Sequence, residues 1–375
     1  MGFEESELLF EFNLPSLELL NRSSIPLISE EKKLNLHLNL SDESQKLKRV
    51  MVWINDVAVF GTTGIYLENK NTQHWKLDLD LNLAYGINRI QLSVINTAGV
   101  ESYREELNVE CTAGKLTPDL YVLSMGVSDY QDDRFDLRYA AKDAQDVVTT
   151  LQSSGYFGQV RQLSLLDDKV VREGLIAASE FLEQADIDDQ VIVFVAGHGL
   201  LDEELDYYYA AHDMDFEHPA AKGIAYESIE ALLDGIRPLK KLLFMDTCHS
   251  GELDDDDTED NPEPMKAGLV SVADPLSVKV QSRGVVVDDW NQNHEQLGLQ
   301  NSLDLMKSLF ADLRKGTGAT VIAASGGLEF ALESEEWQNG LFTYCLLSGL
   351  SEGRSDLDGD GQIFLNELQE GVFER

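Results

Sequence analysis

Two residues of this chain have the chemistry and the setting to attack a carbonyl. Cys248 lies in K-L-L-F-M-D-T-C-H-S-G, residues 241–251, three positions past the apolar run 242–245. His198 lies in V-I-V-F-V-A-G-H-G, residues 191–199, after a second apolar run. A thiol with an ordinary pKa of about 8.5 is mostly protonated at neutral pH and needs a base or a positive environment. An imidazole can take that proton and later return it to a leaving amine. Glycines on either side of His198 leave room for a substrate backbone. The backbone N–H groups of Gly199 and Cys248 could hold a developing oxyanion. The plainer alternative is a buried thiol and an unrelated imidazole. Two apolar segments of the same design, each ending in glycine and a reactive residue, favour the reactive pair.

The elements that must position this pair read as strands alternating with helices. Apolar runs at 120–127, 191–196 and 241–245 have the continuous hydrophobicity of buried strands, and 160–166 and 319–324 read as further strands. Between or after them, 137–151, 170–184, 226–236 and 340–350 carry helical periodicity. The expectation is a mainly parallel sheet flanked by helices, with polar residues at the strand ends, where open α/β sheets place their ligands. The segment 252–301 interrupts the pattern. It opens on the acidic run 254–260 and holds Lys266, Lys279 and Arg283. A long insertion of this kind is a functional or solvated loop.

Residues 1–113 read differently. Short stretches such as 8–13, 34–40, 50–60, 75–81 and 90–95 have strand patterns, several of them alternating, and turn-rich pieces separate them. That spacing predicts a β-sandwich. Residues 86–90 and 98–102 resemble the late strands of immunoglobulin-like modules in bacterial multidomain proteins. This part is read as a spacer or docking domain, 114–118 as a linker, and 119–375 as the domain carrying the chemistry. His37 and His74 fall in the strand patterns and receive no role.

The chain has 29 basic and 68 acidic residues, a formal charge of −39. Such a field repels nucleic acid and anionic membranes and favours basic partners or divalent cations, although solubility alone explains much of it. Three widely spaced cysteines form neither a disulfide framework nor a zinc pattern, which fits a reducing compartment. The N-terminal residues lack a signal-peptide pattern, and no apolar run of about 20 residues exists to span a bilayer. The expected location is cytoplasmic.

G-H-G after one apolar strand and D-x-C-H-S-G after another resemble the caspase-like cysteine peptidases, most closely the metacaspase and bacterial caspase-like branches. In that family the His precedes the Cys by about 50 residues, the spacing of His198 and Cys248. Residues 125–130 (M-G-V-S-D-Y), 137–144, 323–325 (A-A-S), Glu333 and 340–344 (G-L-F-T-Y) resemble further family motifs. The resemblance covers roughly 119–350. It implies the caspase–haemoglobinase fold, an α/β class, with Cys248 as nucleophile and His198 as general base. It also implies a specificity pocket holding Asp143 and Asp246, with Ser325 at the substrate. Two carboxylates in a narrow pocket pair with Arg or Lys and repel Asp. The expected activity is cleavage of protein substrates after basic residues. The acidic insertion falls where relatives join their large and small subunits, which makes Lys266 and Arg283 candidate self-cleavage sites. Relatives also carry upstream sensor domains or respond to activator proteins. An inactive peptidase-fold scaffold and a calcium-binding interaction protein are the alternatives.

Residues 356–367 (D-L-D-G-D-G-Q-I-F-L-N-E) match the EF-hand loop pattern. Asp356, Asp358 and Asp360 supply oxygens at positions 1, 3 and 5, the Gln362 carbonyl serves position 7, and Glu367 closes position 12. The expected ligand is Ca2+, in a structural or regulatory role. A metal-free acidic turn is the alternative.

Overall fold

The computed structural model describes residues 14–114, 117–202, 204, 206–249, 269–270, 280–282, 317–324, 332–351, 355–359, 363–364, 366–368 and 370. The chain divides into two compact units. One comprises residues 1–116 with Asp234–Leu239, and the other the remainder.

The first unit is β-rich. A three-stranded antiparallel sheet runs in the order Ser16–Leu19, Lys33–Ser41, His74–Asn82. A six-stranded sheet holds Ile28–Ser29, Glu105–Cys111, Gly86–Asn96, Leu47–Ile54 and Val57–Ala58, with Ile65–Tyr66 beside Leu47–Ile54. Alternation explains which faces are hidden. Leu34, Leu36, Leu38 and Leu40 are buried while Asn35 and His37 between them are exposed. The strand expected over 50–60 breaks in two. Asn55 and Asp56 have φ of 51° and 68°, and two consecutive left-handed residues form the tight turn that folds the run into a hairpin. Asp42 anchors a second turn. Its Oδ1 accepts from the N–H groups of Ser44 and Gln45 at 2.8 and 2.7 Å, and its Oδ2 accepts from Asn96 at 2.9 Å. The expected strand 8–13 lies outside the described residues.

The strands of the second unit are β1 (Leu120–Gly126), β2 (Val160–Leu166), β3 (Gln190–Leu201), β4 (Tyr207–Tyr209), β5 (Ile224–Ala225), β6 (Lys240–His249), β7 (Leu269–Val270), β8 (Val280–Ser282), β9 (Thr320–Ala323), β10 (Leu332–Ser334) and β11 (Asn339–Gly340). The helices are α1 (Ala140–Ser153), α2 (Gly174–Leu182), α3 (Pro219–Lys222), α4 (Tyr226–Ala231) and α5 (Leu341–Ser351). The order β2-β1-β3-β6-β9 is parallel throughout. Every residue of β1 is buried, as a strand covered on both faces requires. Strands β4 and β5 join antiparallel, so the whole sheet is mixed. A small antiparallel sheet runs β7-β8-β10-β11.

Two strands outrun their apolar segments. β3 continues through Gly197-His198-Gly199 to Leu201, because residues 199–201 pair with β4 once β1 has ended at Gly126. β6 continues through Asp246 to His249, because β3 is still there to pair with it. The reactive residues therefore lie within the ladder and not in loops beyond it. Gly126 lets α1 begin close against the end of β1. A Cβ there would sit 2.4 Å from the Ala140 carbonyl oxygen and 2.9 Å from the Ala141 Cα. At the opposite end of β6, the buried Lys241 Nζ donates to the Leu233 and Thr317 carbonyls at 2.9 and 3.0 Å. That single ammonium holds the end of the α4 segment to the start of the β9 segment.

Candidate active site

The β3–β6 ladder places His198 directly opposite Cys248 as a register partner. Asp246 is opposite Ala196, and His249 is opposite Gly199. Two residues separated by 50 positions in sequence (248 − 198) thus occupy adjacent strands at one level of the sheet. Gly199 is enclosed on its other edge by Tyr209 of β4.

His198 is almost fully buried and set among aromatic rings. Its Nε2 lies 2.8 Å from the carbonyl oxygen of Phe135. A carbonyl only accepts, so Nε2 carries a hydrogen, which fixes the tautomer of the neutral ring. The ring centroids of Tyr130, Phe216 and Phe135 lie 5.2, 5.9 and 6.5 Å from that of the imidazole. Phe216 also stacks on Phe135 at 3.7 Å, so it braces the residue whose carbonyl orients the histidine. The backbone is held as well. The Tyr130 hydroxyl accepts from the His198 N–H at 3.1 Å, and the Tyr209 hydroxyl donates to the Ala196 carbonyl at 2.9 Å. Gly197, with φ of 148°, is the residue between them. A Cβ there would come within 3.0 Å of the Tyr130 hydroxyl and 3.1 Å of the Tyr209 ring. Beside Cys248, the Thr247 hydroxyl hydrogen-bonds the buried Tyr207 hydroxyl at 2.7 Å.

Asp143 and Asp246 are both fully buried. Asp143, in the first turn of α1, accepts from the Asn339 side-chain amide at 2.7 Å and from the Gly340 N–H at 3.0 Å. Asp246 accepts from the Thr343 hydroxyl at 2.5 Å. The two carboxylates thus meet residues 339–343, where β11 becomes α5. Glu333 of β10 works in the same way at the start of α1, accepting from the Arg138 N–H at 2.9 Å. His212 is engaged elsewhere, with Nδ1 2.6 Å from the Asp129 carbonyl oxygen, and His218 lies 3.5 Å from Asp215.

At the far end of the chain, carboxylate oxygens of Asp356, Asp358 and Glu367 all lie within 4.8 Å of one another. Glu367 is buried and accepts from the N–H groups of Leu357 and Phe364 at 3.1 and 2.7 Å, closing the loop on itself. Asp360 and Gln362 of the same loop lie outside the described residues, as do Ser325, Lys266 and Arg283.

Sequence reading names His198, Cys248 and the two aspartates but misses what holds them. Phe135 acts through a backbone carbonyl, which has no sequence signature. Phe216 sits in a stretch that reads only as polar and acidic. Tyr130 and Thr343 do stand inside recognisable motifs, M-G-V-S-D-Y and G-L-F-T-Y, and could have been marked as positioning groups from them.

Among the described residues no helix is long and apolar enough to cross a membrane. No curated protein matches the chain. Among solved structures, protein GSU0716 from Geobacter sulfurreducens aligns at 15% identity over 63% of this chain and 83% of its own, with a TM-score of 0.38. Fibronectin(III)-like modules of Clostridium thermocellum CbhA align at 13% identity over 26% of this chain and 48% of theirs, with a TM-score of 0.19. The SrpA adhesin of Streptococcus sanguinis aligns at 8% identity over 36% of this chain and 72% of its own, with a TM-score of 0.19. Likenesses this distant carry no weight for function. The family model described as Caspase domain matches residues 120–374, more than half of the chain and nearly all of the second unit. The chain therefore belongs to the caspase-domain family of cysteine peptidases.

Proposed function

We propose that the chain is an endopeptidase that cleaves protein substrates after Arg or Lys through Cys248 and His198. The observation that carries this reading is the register pairing of those two residues on adjacent parallel strands. In the proposed cycle His198 Nδ1 takes the Cys248 thiol proton. The thiolate sulfur forms a bond to the scissile carbonyl carbon, and the carbonyl π electrons move to oxygen, where the Gly199 and Cys248 N–H groups donate. Collapse of that oxyanion breaks the C–N bond, and the imidazolium gives its proton to the leaving amine. Water, deprotonated by the same nitrogen, then releases the acid from the thioester and restores the thiol. The Phe135 carbonyl supports this cycle by keeping the hydrogen on Nε2 and the reactive lone pair on Nδ1.

Asp143 and Asp246 are the groups that receive the substrate's basic side chain, and Ser325 is a further substrate-binding residue. Their charge supports the preference, since a guanidinium pairs with two carboxylates and an aspartate does not. Lys266 and Arg283 would then be self-cleavage sites within the acidic insertion. The loop 356–367 binds Ca2+ through Asp356, Asp358, Asp360, the Gln362 carbonyl and Glu367. The convergence of three carboxylates within 4.8 Å fits a hard cation that prefers oxygen ligands.

The test is a panel of fluorogenic peptides ending in Arg, Lys or Asp, run with and without calcium on the intact chain and on Cys248→Ala. Cleavage after Arg and Lys that disappears in the variant is the expected result. Cleavage after Asp alone defeats the specificity reading. No cleavage under any condition favours the scaffold reading. Mass spectrometry of incubated protein, beside Cys248→Ala, reads self-cleavage at Lys266 or Arg283.

A further inference from the structure

We infer that Thr343 and Asn339 are specificity-positioning residues, which fix the planes of the Asp246 and Asp143 carboxylates at one helix end. The inference rests on the basic-specificity reading above and adds to it the groups that set the pocket's geometry.

The two aspartates come from distant parts of the chain, one from the first turn of α1 and one from β6. One short piece of chain donates to both. Asn339 Nδ2 lies 2.7 Å from Asp143 Oδ1, the Gly340 N–H lies 3.0 Å from Asp143 Oδ2, and the Thr343 hydroxyl lies 2.5 Å from Asp246 Oδ2. Asn339 Nδ2 also reaches Asp146 Oδ2 at 2.9 Å, so that amide is held from two sides. All of these groups except Asp146 are buried. The last torsion of an aspartate has a broad preference, so its donors set the carboxylate's orientation, and hydrogen bonds to charged acceptors are the stronger ones. Residues 339–343 run from β11 into the 11-residue α5, whose N-terminal end favours negative charge nearby. One rigid turn therefore fixes both carboxylates at once. A guanidinium is planar and reads the relative orientation of its acceptors, so misorienting one of them should weaken Arg recognition before it weakens the chemistry.

The experiment measures kcat and KM for matched peptides ending in Arg or in its neutral isostere citrulline. The proteins are the intact chain, Thr343→Val, Thr343→Ser and Asn339→Ala, with the active fraction of each titrated. Thr343→Val keeps the side chain's shape and removes the donor. It should lower the Arg kcat/KM by about tenfold or more, mainly through KM, with citrulline unchanged. Thr343→Ser should restore the Arg value. Asn339→Ala should act in the same direction, and it provides the same test should Thr343→Val not fold. Equal losses on both substrates, or no loss on Arg, overturn the inference while the intact chain still prefers Arg. An intact chain that cleaves Arg and citrulline peptides alike overturns the basic-specificity reading and this inference with it.

Discussion

Nε2 of His198 lies 2.8 Å from the carbonyl oxygen of Phe135, and this contact sets the tautomer of the imidazole. A carbonyl only accepts, so the hydrogen stays on Nε2. The carbonyl is held in turn by the 3.7 Å stack of Phe216 on Phe135.

Phe216→Ala should therefore lower kcat by up to about a hundredfold, the scale on which small misplacements of a catalytic group act. KM should stay within about twofold. Steady-state kinetics corrected for titrated active sites read the split. A rise in KM at unchanged kcat would assign Phe216 to substrate binding instead.

Gly126→Ala should destabilise the fold and not the chemistry alone. The added Cβ would meet the Ala140 carbonyl oxygen at 2.4 Å, which is backbone and cannot swing aside. Overpacking of this kind costs about 1–3 kcal/mol or more. Denaturant titration of the variant beside the unaltered chain checks it.

Much of the second unit is legible in the sequence because most of its parallel strands are continuous apolar runs; Val160–Leu166, at the sheet edge, is mixed and only partly buried. The parallel core, β1, β2, β3, β6 and β9, falls where 120–127, 160–166, 191–196, 241–245 and 319–324 place it. Strand ends are less legible. Nothing in G-H-G or D-T-C-H marks them as paired backbone, because the pairing depends on β4 and on the neighbouring strand rather than on local hydrophobicity. Two helices, α2 and α4, also come out shorter than their periodicity suggests. The pattern at 226–236 yields α4 over Tyr226–Ala231, and the chain then turns at Gly235, with φ of 70°. The catalytic candidates are legible by residue type and spacing. Their supports are not, since a carbonyl, a stacked ring and a buried hydroxyl leave no pattern of their own.

Asp42 should make the stability of the first unit fall in acid. Burial works to raise its pKa, but the combined hydrogen bonds from Asn96, Gln45 and Ser44 outweigh burial and hold it below the ordinary value of 3.8. The folded carboxylate binds its proton less readily than the unfolded one. Its contribution is therefore fully present above about pH 3.8 and is lost as pH falls through the lower folded value. The gap in melting temperature between the unaltered chain and Asp42→Asn should close across that window. A gap independent of pH would refute the assignment.

Asp358→Asn should weaken calcium binding by about tenfold or more, because ligand charge sets affinity in oxygen-lined loops. Asp358 is exposed, so the fold should survive the change. Calorimetric titration of calcium into the intact chain and the variant gives the comparison. Equal heats in both, or none in either, would remove the metal from the account.

The most direct test of the Cys248–His198 pairing is covalent capture. The intact protein is treated with a peptidyl-arginyl chloromethyl ketone, digested and sequenced by tandem mass spectrometry. The expected result is a single adduct on Cys248 whose formation slows strongly in His198→Ala. Labelling of Cys111 or Cys345 instead, or labelling of Cys248 at the same rate without His198, would contradict it.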